Sequence, residues 1–342
     1  MPGYLDSTPH PWTKEDIARA ALDFKTVEAS IDSTEGGKIW NDLKELDDTA
    51  WILSTSVTEL VDEVCMFGER SKSLNFWTKN NEKNAEQYVR EVKRKLYYCT
   101  SAVMTLVDIS RNFGRRWDVV DSLSKRNEFF CTPGLHEFLQ GLRNFSTHWR
   151  IAEANWLIKT DENGIRSTHF TIGRTELLAW SSWTANAKKY INDSGDHIDI
   201  QKIFTLYSEQ AHEFYGWHKG AVLEQHAHEL QKYFNYRRMY EQHMQYMKWN
   251  MILSSLPPSF NPYKHLHKYL DNSQLEIVLS YPHRSEQQVN AIIKQIDVQE
   301  ICDQNLRSKA MKVFSVDSPV ERSEGAHSPA SCSGSPAAPQ ET

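Results

Sequence analysis

Two apolar seams stepping by three and four residues restrict this chain more than any other feature, because that spacing lines one face of an α-helix and cannot line a strand. The first runs through Ile39, Leu43, Leu46, Ala50, Leu53, Val57, Leu60 and Val64, the second through Val89, Val92, Leu96, Cys99, Val103 and Leu106. Long helices with such seams pack nearly parallel in bundles. A mainly α-helical bundle is therefore expected over residues 1–314. Thr13 and Asp16 form a capping-box pattern ahead of a first helix, and Gly36-Gly37 is expected to break the chain before the second.

A shorter helix is expected from Leu135 to about Arg150, after which the helical period lapses. Trp156-Leu157-Ile158 and His169-Phe170-Thr171-Ile172 flank an Asn163-Gly164 pair, which predicts one inserted β-hairpin over about 155–173 and little other sheet. Helical pattern resumes over about 176–301, starting near Glu176 and again from Ile200. It is strongest from about Lys219 to Leu256, where Pro257 and Pro258 stop it, and a last helix is expected over Ser285 to Ile301. Residues 315–342 are rich in Ser, Pro, Ala, Gly and Glu and poor in large apolar side chains, which predicts a disordered C-terminal tail.

Charge and cysteine usage narrow the classes. With 39 Lys plus Arg against 45 Asp plus Glu, the net charge of −6 excludes a uniformly basic nucleic-acid coat, though not a local basic site. No stretch approaches the roughly 20 apolar residues of a membrane-spanning helix, and the polar start from Met1 to His10 lacks a secretory pattern. A cytoplasmic protein without membrane partners is expected. Cys65, Cys99, Cys131, Cys302 and Cys332 are odd in number and widely spaced, the usage of reduced thiols.

The most informative segment is Leu135-His136-Glu137-Phe138-Leu139-Gln140-Gly141-Leu142-Arg143-Asn144-Phe145-Ser146-Thr147-His148-Trp149. On a helix its Leu, Phe and Trp residues fall on one stripe, with His136, Gln140, Arg143, Asn144 and Thr147 opposite and His148 well off the apolar centre. Asn144 and His148, four apart, are within reach of each other, so the amide is placed to orient the imidazole. Arg-Asn-x-x-x-His, set in an amphipathic helix behind a long bundle helix, resembles the Arg-x(4 to 6)-His motif of the higher-eukaryotes-and-prokaryotes nucleotide-binding (HEPN) superfamily. The resemblance covers about residues 84–150. It implies a helical, metal-independent endoribonuclease without cofactor, in which a homodimer brings two motif sets into one cleft. It also implies catalytic roles for Arg143, Asn144 and His148. The spacing recurs from Arg237 or Arg238 to His243 and from Arg322 to His327, but without the following Asn and the amphipathic setting.

Between Arg90 and Arg126 nine basic residues face four acidic ones, and Arg90, Lys93, Arg94, Arg115 and Arg116 are candidate RNA-phosphate contacts. A solvated face with ion pairs is the competing reading of each. A different class of function is a non-catalytic helical module binding a protein partner through the aromatic and Met-rich 233–251 helix. It carries Tyr233, Phe234, Tyr236, Tyr240, Tyr246, Trp249, Met244, Met247 and Met251. A third is a sensor that binds a nucleotide without cleaving it. Metal chemistry has little support: no His-Glu-x-x-His is present, and Glu209 with His212 is the one Glu-x-x-His pair outside the tail.

Overall fold

The structure, a computed structural model, describes residues 3–314 apart from 150, 153, 161, 163–165 and 258. Helices dominate. In chain order they begin with α1 (Lys14–Ala20), α2 (Phe24–Ser33), α3 (Glu35–Ser71), α4 (Glu82–Arg116), α5 (Ser122–Phe129) and α6 (Leu135–His148). Strands β1 (Asn155–Thr160) and β2 (Arg166–Gly173) follow, then α7 (Arg174–Leu178), α8 (Ala185–Asp193) and β3 (His197–Asp199). The chain continues through α9 (Ile200–Gln225), α10 (Ala227–Ser255), α11 (Asn272–Leu279), α12 (Glu286–Ile296) and α13 (Gln304–Phe314). Contacts group the chain into two units, one of Met1–Ser30 with Asn235–Thr342, the other of Ile31–Phe234.

The Ile31–Phe234 unit is built on the two seams. Both are buried along α3 and α4 except at Ala50 and Val89, which are half-buried, and the two helices pack along each other's length. Their direction is antiparallel, since Glu63 meets Lys95, Ser56 meets Cys99 and Asp42 meets Trp117. Against this pair lie α6 on α4 and α9 on α3, and α8 packs on α6. One core joins residues from Ile39 to Leu230.

Gly36 and Gly37 do not break the chain. They sit in the first turn of α3, behind the Thr34 cap, where a Cβ at Gly36 would lie 2.2 Å from the Glu229 carbonyl oxygen of α10 and one at Gly37 2.6 Å from the Asp32 carbonyl oxygen of α2. Glycine is needed there for close approach, not for bending. The sheet has a third strand as well. β1 and β2 pair antiparallel from Asn155 with Thr171 to Thr160 with Arg166, and β3 adds to β2 through Thr171 with Asp199. The Asn163-Gly164 turn lies outside the described residues. Phe170 in β2 is buried with its ring 5.1 Å from that of Phe67 in α3, fastening the sheet to the helices.

In the other unit, α1 carries the expected capping box of Thr13 and Asp16. Trp12, His10 and Tyr236 gather their rings, Trp12 and Tyr236 at 4.9 Å. Leu266, Leu270, Val278 and Ile292 form a small separate core among the C-terminal helices. Cys65, Cys99, Cys131 and Cys302 are free thiols. Cys332, the Arg322 to His327 spacing and the expected disorder of 315–342 lie outside the described residues.

Candidate functional site

The helical angle of the motif translates directly into exposure. Leu135, Phe138, Leu139, Leu142 and Phe145 are buried along α6, while Arg143 and His148 are exposed and Asn144 is half-buried. Gly141 lets this stripe approach its neighbour: a Cβ there would lie 2.5 Å from the Trp183 ring. The stripe ends at Phe145. Trp149 caps the helix and is 44% exposed, with its ring 4.9 Å from that of Phe145. An exposed indole therefore follows His148 at the end of the helix.

Arg143 donates from Nη1 to Asn144 Oδ1 at 3.2 Å. Asn144 thus holds the guanidinium, and among the described residues no hydrogen bond joins its amide to His148. Arg143 and His148 are five residues apart on the helix, about 7.5 Å of rise and 140° of rotation. One chain places both in solvent on the same helix without bringing them together.

The candidate phosphate-binding residues do not form one patch. Arg90, Lys93 and Arg94 lie in the first half of α4 and Arg115 and Arg116 at its end, about 35 Å further along at 1.5 Å per residue. Most are engaged with acids: Arg90 with Glu86 at 3.7 Å, Arg94 with Glu91 at 2.6 Å, Arg116 with Asp42 at 3.1 Å. Arg94 also lies over the Tyr98 ring at 5.0 Å. Lys93 and Arg115 make no ion pair among the described residues. The rival spacing in α10 has a different setting. Arg237 pairs with Glu28 at 4.0 Å, and His243 is half-buried, with burial holding its pKa below the usual histidine range.

Sequence reasoning passed over a second polar cluster at the other end of α6. His136 is hydrogen-bonded through Nδ1 to the Tyr207 hydroxyl at 3.0 Å, at a cavity of about 670 Å³ bounded by α4, α5, α6, α8 and α9. Burial depresses the His136 pKa, with Arg111 and Arg126 adding to the effect and Glu137 opposing it. Burial also raises the phenol of Tyr207, and it pushes that of Tyr215 up to about 12. Tyr207 is 71 residues from His136, so no local pattern could have paired them.

Among the described residues no group of three or more His, Cys, Asp or Glu side chains is placed to hold a metal ion, and no helix is long and apolar enough to cross a membrane. Compared with known proteins, the chain matches no family model, no curated protein and no solved structure.

Proposed function

We propose that this chain is a HEPN-type endoribonuclease that cleaves single-stranded RNA, with Arg143 and His148 as its catalytic side chains and two copies of the chain forming the cleft. The observation that carries this reading is the exposure of both side chains on a helix whose apolar stripe is otherwise fully buried. Arginine and histidine held in solvent, on a helix that ends in an exposed indole, suit a phosphate and a base. In the reaction, the ribose 2′-OH attacks the adjacent phosphorus and the bond to the 5′ oxygen breaks. The products are a 2′,3′-cyclic phosphate and a 5′-hydroxyl. His148 moves the proton, and Arg143, steadied by Asn144, neutralises the charge gathering on the phosphate. A second copy supplies the opposing pair, since one α6 separates its own two residues around the helix.

The test is cleavage of unstructured RNA with chelator present. His148→Ala and Arg143→Ala should each lose activity by about a hundredfold or more, with the melting temperature unchanged because neither residue is buried. His243→Ala should retain activity. Activity that vanishes with chelator and returns with a divalent ion would overturn the mechanism, and inertness of the wild-type protein towards RNA would overturn the enzyme reading.

A second reading, a protein-interaction module, is favoured by an apolar cavity of about 580 Å³ that includes Trp249, Leu253, Leu256 and Ile296 in its lining. Met247 and Met251, on the same helix, are exposed. Inert wild-type protein would leave this reading as the stronger.

A further inference from the structure

Neither Arg143 nor His148 lines the cavity at the start of α6, so its purpose is separate from the RNA-cleaving reading. At about 670 Å³ it falls in the size range of small-molecule sites, roughly 300–1,000 Å³. Its floor is polar and shielded. The buried Tyr207 hydroxyl reaches His136, and Tyr215 lies nearby on the same face of α9. Flat walls come from Phe130 and Tyr190, and amides from Asn127 and Gln140.

The mouth is cationic. Arg111 from α4, Arg126 from α5 and Lys189 from α8 converge on it, and both guanidiniums act on His136 and on Tyr215. Arg126 and Lys189 make no ion pair among the described residues, and Arg111 meets Asp108 at 3.6 Å in solvent. Two acids, Glu137 and Asp193, also line the cavity, and Glu137 is engaged by the Asn186 amide at 3.1 Å. In addition α6 begins here at Gly134, with φ +78° and no side-chain cap, so the positive end of a 14-residue helix adds to the field. Against the two acids of the lining, the three cations and the helix N-terminus leave the mouth net positive, above an imidazole whose pKa burial lowers, and such a mouth favours an anionic ligand. A bare anion would leave the flat walls unfilled, and an apolar ligand would leave Arg126 and Lys189 without an ionic partner among the described residues.

We propose that this cavity binds a small organic phosphate carrying a planar ring, of nucleoside-monophosphate size. The phosphate lies against Arg111 and Arg126, and the ring against His136, Phe130 and Tyr207. Titration calorimetry on the full chain, with adenosine and uridine monophosphates against adenosine, uridine and inorganic phosphate, tests it. At least one monophosphate should saturate at one per chain, and the nucleosides and inorganic phosphate should bind at least tenfold more weakly. Arg126 is exposed, so Arg126→Ala should fold normally and weaken binding by about ten- to a hundredfold. Tyr207→Phe, which keeps the ring and removes the hydroxyl, should weaken it by about tenfold. His148→Ala should bind as the wild type does, so loss of RNA cleavage and loss of this site are separately readable. Absence of saturation by either monophosphate, inorganic phosphate binding as tightly, or wild-type affinity in Arg126→Ala would overturn the proposal.

Discussion

His218 shows what burial does to a single titratable ring. It is packed in α9 with its plane stacked on Phe214 at 5.7 Å and edge-on to Phe113 at 5.3 Å, and its Nδ1 has no hydrogen-bond partner among the described residues. Burial therefore holds its pKa below the usual histidine range. A pKa lower in the folded chain than in the unfolded one means that the unfolded chain takes up the proton first. Stability is then complete above the unfolded value, about 6.5, and is lost as pH falls below it. His136 and His243 shift the same way. The depressed carboxylates Asp6, Asp16 and Asp271 act only lower, as pH falls through the ordinary carboxylate range near 4. Melting temperature measured from pH 7 to 5 should fall in the wild type and fall less in His218→Phe, whose ring keeps the stack and carries no proton. An equally steep fall in the variant would show that His218 is not buried as a neutral ring.

At the scale of elements, glycine separates two kinds of helix position. Gly36→Ala would drive a Cβ to 2.2 Å from the Glu229 carbonyl oxygen and 2.8 Å from Tyr233 Cβ, forcing α3 and α10 apart. A cost of about 1–3 kcal/mol is expected, as for other overpacked contacts. Gly114→Ala in α4 meets nothing within 4 Å and should stabilise by about 0.5–1 kcal/mol through helix propensity alone. Urea unfolding of the two variants reads the contrast, and destabilisation of similar size in both would remove the close-approach explanation. The same pair explains what was legible in the sequence. The seams of α3, α4 and α6 were visible because burial along a helix repeats within a turn. Gly36-Gly37 read as a break because the reason for glycine at Gly36 is a backbone about 190 residues away, while Gly37 is crowded by the end of α2. The expected helix from Lys219 instead divides at His226, where neither glycine nor proline marks a boundary. β3 has only three residues, too few for an alternating pattern, and α11 and α13 were passed over on either side of the expected last helix. The exposure of Arg143 and His148 followed from angle alone, whereas the His136 cavity is assembled from five helices and leaves no local signature.

For the molecule as a whole, every buried residue of the larger core lies between Ile39 and Leu230, within the single continuous segment Ile31–Phe234. The motif residues Arg143, Asn144 and His148 and all the cavity-lining residues lie within it too. A continuous segment that closes its own core has the defining property of a domain able to fold alone. Residues 31–234 expressed by themselves should therefore unfold in one cooperative transition and keep both proposed sites. Because the motif offers only one Arg and one His per chain, that fragment should also sediment at twice its monomer mass whenever it cleaves RNA. Mixing an excess of Arg143→Ala, His148→Ala fragment with wild type should then suppress activity beyond simple dilution, as mixed dimers replace active ones. Activity in a strictly monomeric fragment would contradict the two-copy cleft, and a fragment without a cooperative transition would show that the segment needs the rest of the chain to fold.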